Sequence, residues 1–176
     1  MPRTLIAKRE EISIRPGAPG LVSTWLPVAI GLCIIATEST TQFSSQHTSS
    51  WLRPIFTYLF GPFTDAHWGL FHHAVRKSGH FVGYGTLGMT WARAWLRTFT
   101  TRSHWTLLQW RIRSASLGIF CTFLTASADE YHQTFLPGRT GQFSDVLLDT
   151  CGALLFTLIV ALSWHRQHRM QRKMVA

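Results

Sequence analysis

Residues 21–37 read LVSTWLPVAIGLCIIAT, and no charge interrupts them. Arg15 and Glu38 bracket 22 uncharged residues in all. Three shorter gaps repeat the theme: Ser78 to Ala92, Ser114 to Ala128 and Thr150 to Trp164 each hold 15 residues without Asp, Glu, Lys or Arg. At 1.5 Å per residue, a helix of that length reaches about 22 Å, short of the roughly 30 Å hydrocarbon core of a bilayer. These segments are therefore either buried helices of a soluble protein or spans whose charged ends lie at the membrane boundary.

The signs of the charges favour spanning. Arg3, Lys8, Arg9 and Arg15 precede the first segment. Arg93, Arg97, Arg102, Arg111 and Arg113 separate the second from the third, and Arg166, Arg169, Arg172 and Lys173 follow the fourth. Thirteen of the 17 basic residues thus fall in three stretches that share one side, leaving Arg53, Arg76, Lys77 and Arg139 on the other. This is the positive-inside bias, and it predicts cytoplasmic termini. Trp25, Trp91, Trp95, Trp105, Trp110 and Trp164 cluster near the same ends, as an aromatic belt does.

Composition agrees. Of 176 residues only 14% are charged, against 46% hydrophobic. Soluble domains carry about 25% charge, so part of this surface meets another solvent. The hydrophobic content argues against disorder, and three cysteines are too few for a disulfide-stapled module. A net charge of +9 could serve nucleic acid or a membrane surface. Its alternation along the chain selects the membrane, so no nucleic-acid partner is expected. No small-x-small cleavage site follows the first apolar segment, which is read as a retained helix. Cys33, Cys121 and Cys151 fall inside apolar segments and are expected to pack as small apolar residues.

The expected fold is all-α: a bundle of four transmembrane helices with a short interfacial segment, Trp51 to Phe60, in the first outer loop. A polar tail over 1–20 precedes a transmembrane domain over 21–165, and a basic tail over 166–176 follows it. Threading the helices this way gathers Glu38, Asp65, Asp129, Glu130, Asp145 and Asp149 at the extracytoplasmic end, facing Arg76, Lys77, His80 and Arg139. Lys77, His80 and Tyr84 share one helix face, as do Asp129 with Gln133 and Asp145 with Asp149. Gly79 and Gly83 would allow a neighbouring helix close, and Gly88 and Gly152 likewise. Ionisable groups at membrane depth point to function.

Three readings of the cluster stand side by side. In a structural network, Arg76, Lys77 and Arg139 neutralise Asp129, Glu130 and Asp145 and lock the helices. In a ligand pocket, the same cations receive a phosphate or carboxylate. In a metal site, Asp129, Glu130, His132, Asp145 and Asp149 act with His80 nearby. No spacing rule supports the third, so neither metal nor cofactor is expected. Enzymatic chemistry could use Glu130 and His80, although no nucleophile motif, phosphate loop or zinc signature accompanies them.

Three blocks also carry a resemblance: Lys77-Ser78-Gly79-His80-Phe81 with Tyr84 and Leu87-Gly88; Asp129-Glu130-Tyr131-His132-Gln133-Thr134-Phe135-Leu136-Pro137-Gly138-Arg139; and Asp145-Val146-Leu147-Leu148-Asp149-Thr150-Cys151-Gly152. Together they resemble the VanZ-like family of small multi-helix membrane proteins, named for an accessory protein of teicoplanin resistance. Asp149 stands where the family pattern usually has Asn, adding a negative charge. The resemblance implies a bacterial inner-membrane protein of the cell envelope or of glycopeptide tolerance. Its polar pocket, drawn from Lys77, His80, Tyr84, Asp129, Glu130, Gln133, Arg139, Asp145 and Asp149, would meet membrane lipids and a cell-wall precursor, lipid headgroup or glycopeptide. The alternatives are a membrane enzyme on a lipid-linked or phosphorylated substrate, and a structural scaffold.

Overall fold

The computed structural model describes residues 20–99 and 105–175, with side chains as far as residue 162. The tail over 1–19 lies outside the described residues, and beyond residue 162 only the backbone is described, the basic stretch forming the end of α5. The described residues form five α-helices and no strand: α1 (Leu21–Glu38), α2 (Ser45–Phe60), α3 (Asp65–Thr98), α4 (Leu107–Gln133) and α5 (Phe143–Val175), with a single 3-10 turn at Thr41–Phe43 between α1 and α2. Helices α1 and α5 are long and apolar enough to cross a membrane, over Leu21–Glu38 and Phe143–Leu162.

Two boundaries differ from the sequence reading. The outer segment is a helix from Ser45, not an aromatic stretch from Trp51, because Ser44 caps it by accepting the His47 N–H. The second long helix starts at Asp65, where Thr64 accepts the His67 N–H, rather than near Arg76. Its 34 residues reach about 51 Å. The added N-terminal turns of α3 pack on α2 through Phe56, Trp68 and Phe71, and Trp68 Nε1 donates to Ser49 Oγ at 2.6 Å.

Helix α3 is the hub, packing against α5, α4 and α1. It runs parallel to α5, so their contacts mount in step: Lys77 with Asp145, His80 with Asp149, Phe81 with Gly152, Gly85 with Phe156. It runs antiparallel to α4, where a Cβ added to Gly118 would meet Ala92 N at 2.7 Å. The buried core joins Ile35, Tyr84, Leu87, Ala126 and Val146. Small residues set these approaches. A Cβ on Gly88 would stand 2.6 Å from that of Ala153, and one on Gly152 would collide with the Phe81 carbonyl oxygen. Gly79 and Gly83 do not act this way, because nothing lies within 4 Å of where their Cβ atoms would be. Cys33 and Cys151 are exposed on their helices rather than packed inside.

The end opposite the acids is aromatic. Trp25 meets Trp91 and Trp95 edge-on, with centroids 5.9 and 5.3 Å apart, and Arg113 lies 4.3 Å over the Trp105 ring. There Pro27 sits inside α1 and brings no N–H, so the Ser23 carbonyl loses its helical donor. Arg93 Nη1 donates to that carbonyl at 3.4 Å, and Arg97 Nη2 donates to the Ser23 hydroxyl at 3.2 Å.

Candidate functional site

At the other end, the α4–α5 turn folds back over the bundle. Gly141 makes this possible, since a Cβ there would land on the Glu130 carbonyl oxygen. The turn thereby reaches α4, and the Gln142 N–H donates to Glu130 Oε2 at 2.8 Å. Between the turn, α2, α3 and the ends of α4 and α5 lies a cavity of about 200 Å³. Arg76, Lys77, His80, Gln133, Arg139 and Asp145 line it, together with Ser45, His73, Thr140 and Gln142.

The cations around the cavity are held unequally. Lys77 pairs with Asp145. Arg76 Nη1 donates instead to the Phe43 carbonyl at 2.7 Å and to Thr48 Oγ1 at 3.3 Å. Arg139 Nη2 donates to the carbonyls of Glu38 and of Thr40, the latter at 2.8 Å. Arg139 was expected to neutralise Asp129 or Glu130; it binds α1's last turn instead. The Glu38 carbonyl ends α1 without a helical donor, whereas that of Thr40, in the turn beyond, also accepts from the Phe43 N–H. Among the described residues, the ion pairs are Arg53–Asp65, Lys77–Asp145 and His80–Asp149, so neither Arg76 nor Arg139 has a carboxylate at bonding distance.

Tyr84, Asp129, Glu130 and Asp149 lie behind the cavity wall rather than in it. Asp129 Oδ2 accepts from the Tyr84 hydroxyl and from Gln133 Nε2, each at 2.9 Å. Glu130 is 4% exposed and its Oε1 has no hydrogen-bond partner among the described residues. Asp149 is completely buried and neither oxygen accepts a hydrogen bond there; His80 Nδ1 stands 3.7 Å from its Oδ2.

Topology alone therefore anticipated much of this assembly, with three exceptions. Asp65 pairs with Arg53 at 2.7 Å, away from the cavity, and Glu38 contributes its backbone rather than its carboxylate. His132 stands by Ser39, its Nδ1 3.4 Å from Ser39 Oγ, and is exposed. Sequence reasoning missed Ser45, His73, Thr140 and Gln142. Gln142 carried the only available hint, its place in the Pro- and Gly-bearing turn between Arg139 and Asp145.

Comparison with protein families matches residues 24–164 to the VanZ/LLP1 family. That match covers most of the chain, and the chain belongs to this family. No curated protein and no solved structure matches it.

Proposed function

We propose that this member of the VanZ/LLP1 family is a four-span protein of the bacterial inner membrane whose outer-end cavity binds an anionic group. A cell-wall precursor, a lipid headgroup or a glycopeptide would carry that group, which links the cavity to the envelope and to glycopeptide tolerance. The observation that carries this reading is the tethering of Arg76 and Arg139 by neutral acceptors. Both guanidinium groups are oriented, yet neither has a carboxylate at bonding distance among the described residues. A phosphate or carboxylate entering the cavity meets fixed forks suited to its oxygens.

Spanning by α1, α3, α4 and α5 is supported by where apolar side chains remain uncovered. Leu26, Ile30 and Ile34 on α1, Val82 on α3, Phe120 and Leu124 on α4, and Leu154, Leu158 and Ile159 on α5 are all about half exposed. Apolar surface of this extent along four helices is unusual for a soluble monomer and ordinary for a lipid-facing one. The domain would cover 21–165, with the basic ends in the cytoplasm.

A scaffold would close the polar site and pair every charge. Glu130 breaks that rule, since no ion pair holds it and its Oε1 has no hydrogen-bond partner among the described residues, which favours a working site. Glu130→Gln is the informative variant, because its amide oxygen can still accept the Gln142 N–H while the charge is gone. The test compares glycopeptide susceptibility of cells carrying Glu130→Gln or His80→Gln with the melting curve of each purified protein. At least one variant is expected to melt like the wild type yet lose the phenotype. If every inactive variant is also unstable, the scaffold reading holds instead.

A further inference from the structure

Three helices each bring one metal-competent atom to a single buried point. His80 on α3, Glu130 on α4 and Asp149 on α5 place one ligand atom apiece within 4.8 Å of one another. Buried carboxylate oxygens without donors are costly, by several kcal/mol for a charged group. Here the Asp149 oxygens, Glu130 Oε1 and His80 Nδ1 are all without hydrogen-bond partners among the described residues. Electron-pair donors gathered in this way call for an electron-pair acceptor.

The charge balance says which kind. Asp129 is held by the neutral donors Tyr84 and Gln133, and Asp145 is compensated by Lys77. Arg76 and Arg139 are committed to carbonyls and Thr48. Glu130 and Asp149 therefore have no cation at bonding distance except His80, whose single proton would match only one of two carboxylates. We propose that His80, Glu130 and Asp149 hold a divalent metal ion of the zinc or manganese type.

Size and donor type agree. Bonds of about 2.0–2.2 Å to nitrogen and oxygen put neighbouring ligand atoms roughly 3–3.6 Å apart. The His80–Asp149 pair at 3.7 Å already stands near that spacing. One imidazole with two carboxylates suits a borderline cation better than magnesium or calcium, which favour oxygen alone. Three protein ligands leave a coordination position for water or for an anion, and His80 also lines the cavity. This trio differs from the donors that sequence order suggested: Asp129, His132 and Asp145 are engaged elsewhere, and no local spacing links 80, 130 and 149.

The test uses the full-length, tag-free protein in detergent. It is stripped with EDTA, incubated with Zn²⁺ or Mn²⁺, passed through gel filtration and assayed for metal by mass spectrometry. The wild type and a His67→Gln control should retain one equivalent per chain. Glu130→Gln, which preserves the Gln142 contact, and His80→Gln should bind at least about 100-fold more weakly, beyond the usual effect of outer-shell changes. Asp149→Asn should do the same if it folds. Failure of the stripped wild type to take up either metal overturns the proposal without any variant. So does retention by Glu130→Gln and His80→Gln equal to the control, which would assign the metal to surface histidines. Neither outcome touches the anion-binding reading, which rests on Arg76 and Arg139.

Discussion

Gly152→Ala adds one methyl group where α5 crosses α3. The new Cβ would collide with the Phe81 carbonyl oxygen and stand 3.4 Å from the Gly85 nitrogen. Both atoms are backbone within one helical hydrogen bond, so no rotamer change can make room. The two helices must part by roughly 1 Å, and overpacking of this sort costs about 1–3 kcal/mol. Alanine's better helix propensity returns up to about 1 kcal/mol. Gly79→Ala supplies the control: the same substitution in a helix, with nothing within 4 Å of the added atom. It should be neutral or stabilising by up to about 1 kcal/mol. The propensity gain is common to both variants, so they should differ by about 1–3 kcal/mol, or roughly 5- to 140-fold in the folded-to-unfolded ratio. Thermal or denaturant unfolding of each protein in the same detergent measures this. Gly152→Ala should also disturb the site, because His80 adjoins Phe81 and Asp149 precedes Gly152 by less than a turn. If Gly152→Ala is as stable as Gly79→Ala, the α3–α5 approach is not what holds these helices.

Further outcomes follow from the same structure. Reporter fusions after Arg15, within 97–112 and after Arg166 should all report cytoplasm; a periplasmic signal from 97–112 would overturn the topology. Arg139→Ala removes two charge-assisted bonds, to the last carbonyl of α1 and to Thr40 in the turn beyond it, and should lower stability by about 1–3 kcal/mol, with Arg139→Lys intermediate because an ammonium lacks the fork. Wild-type melting for Arg139→Ala would show that the turn does not hold α1. His72, on the N-terminal turns of α3 before its uncharged stretch, has its basicity lowered by burial and then by Arg76 and His73. The folded state thus disfavours its protonation, so the stability it permits is complete above the unfolded value of about 6.5 and is lost as pH falls through the lowered folded one. Melting curves against pH should be shallower below that point for His72→Gln, and parallel curves would refute the assignment.

The helical class and the place of the site were legible because charge is scarce here. Gaps between charges marked the apolar helices, and their alternating sign made Lys77, His80, Asp129, Glu130, Arg139 and Asp145 neighbours before any contact was known. What could not be read was which acceptor each cation chooses. A carboxylate and a helix-end carbonyl are equivalent in a charge pattern, and only the fold shows that Arg139 takes carbonyls and Lys77 takes Asp145. Nor does a glycine announce whether a helix faces it. Gly79 and Gly83 have the spacing of a close contact, yet Gly85, Gly88 and Gly152 make it, because the register between α3 and α5 decides which face is covered. The start of α2 was hidden by a polar run, STTQFSSQHTSS, whose helical half is revealed by the Ser44 cap.

Helix α1 lies at the edge of the bundle, and most of its apolar side chains face outward. Grease has no ruler: leucine and isoleucine slide against one another with little change in energy, so packing alone would let such a helix drift along its axis. The proline that opens its ladder supplies the missing graduation. Ser23's carbonyl, left without its helical donor, accepts from Arg93, and a shift by one residue would break that bond. At the far end Arg139 grips the carbonyls of Glu38 and Thr40. The rod is thus detented at both tips by arginines from other elements, and what looks like a flaw in its backbone is the notch that keeps it at its proper height.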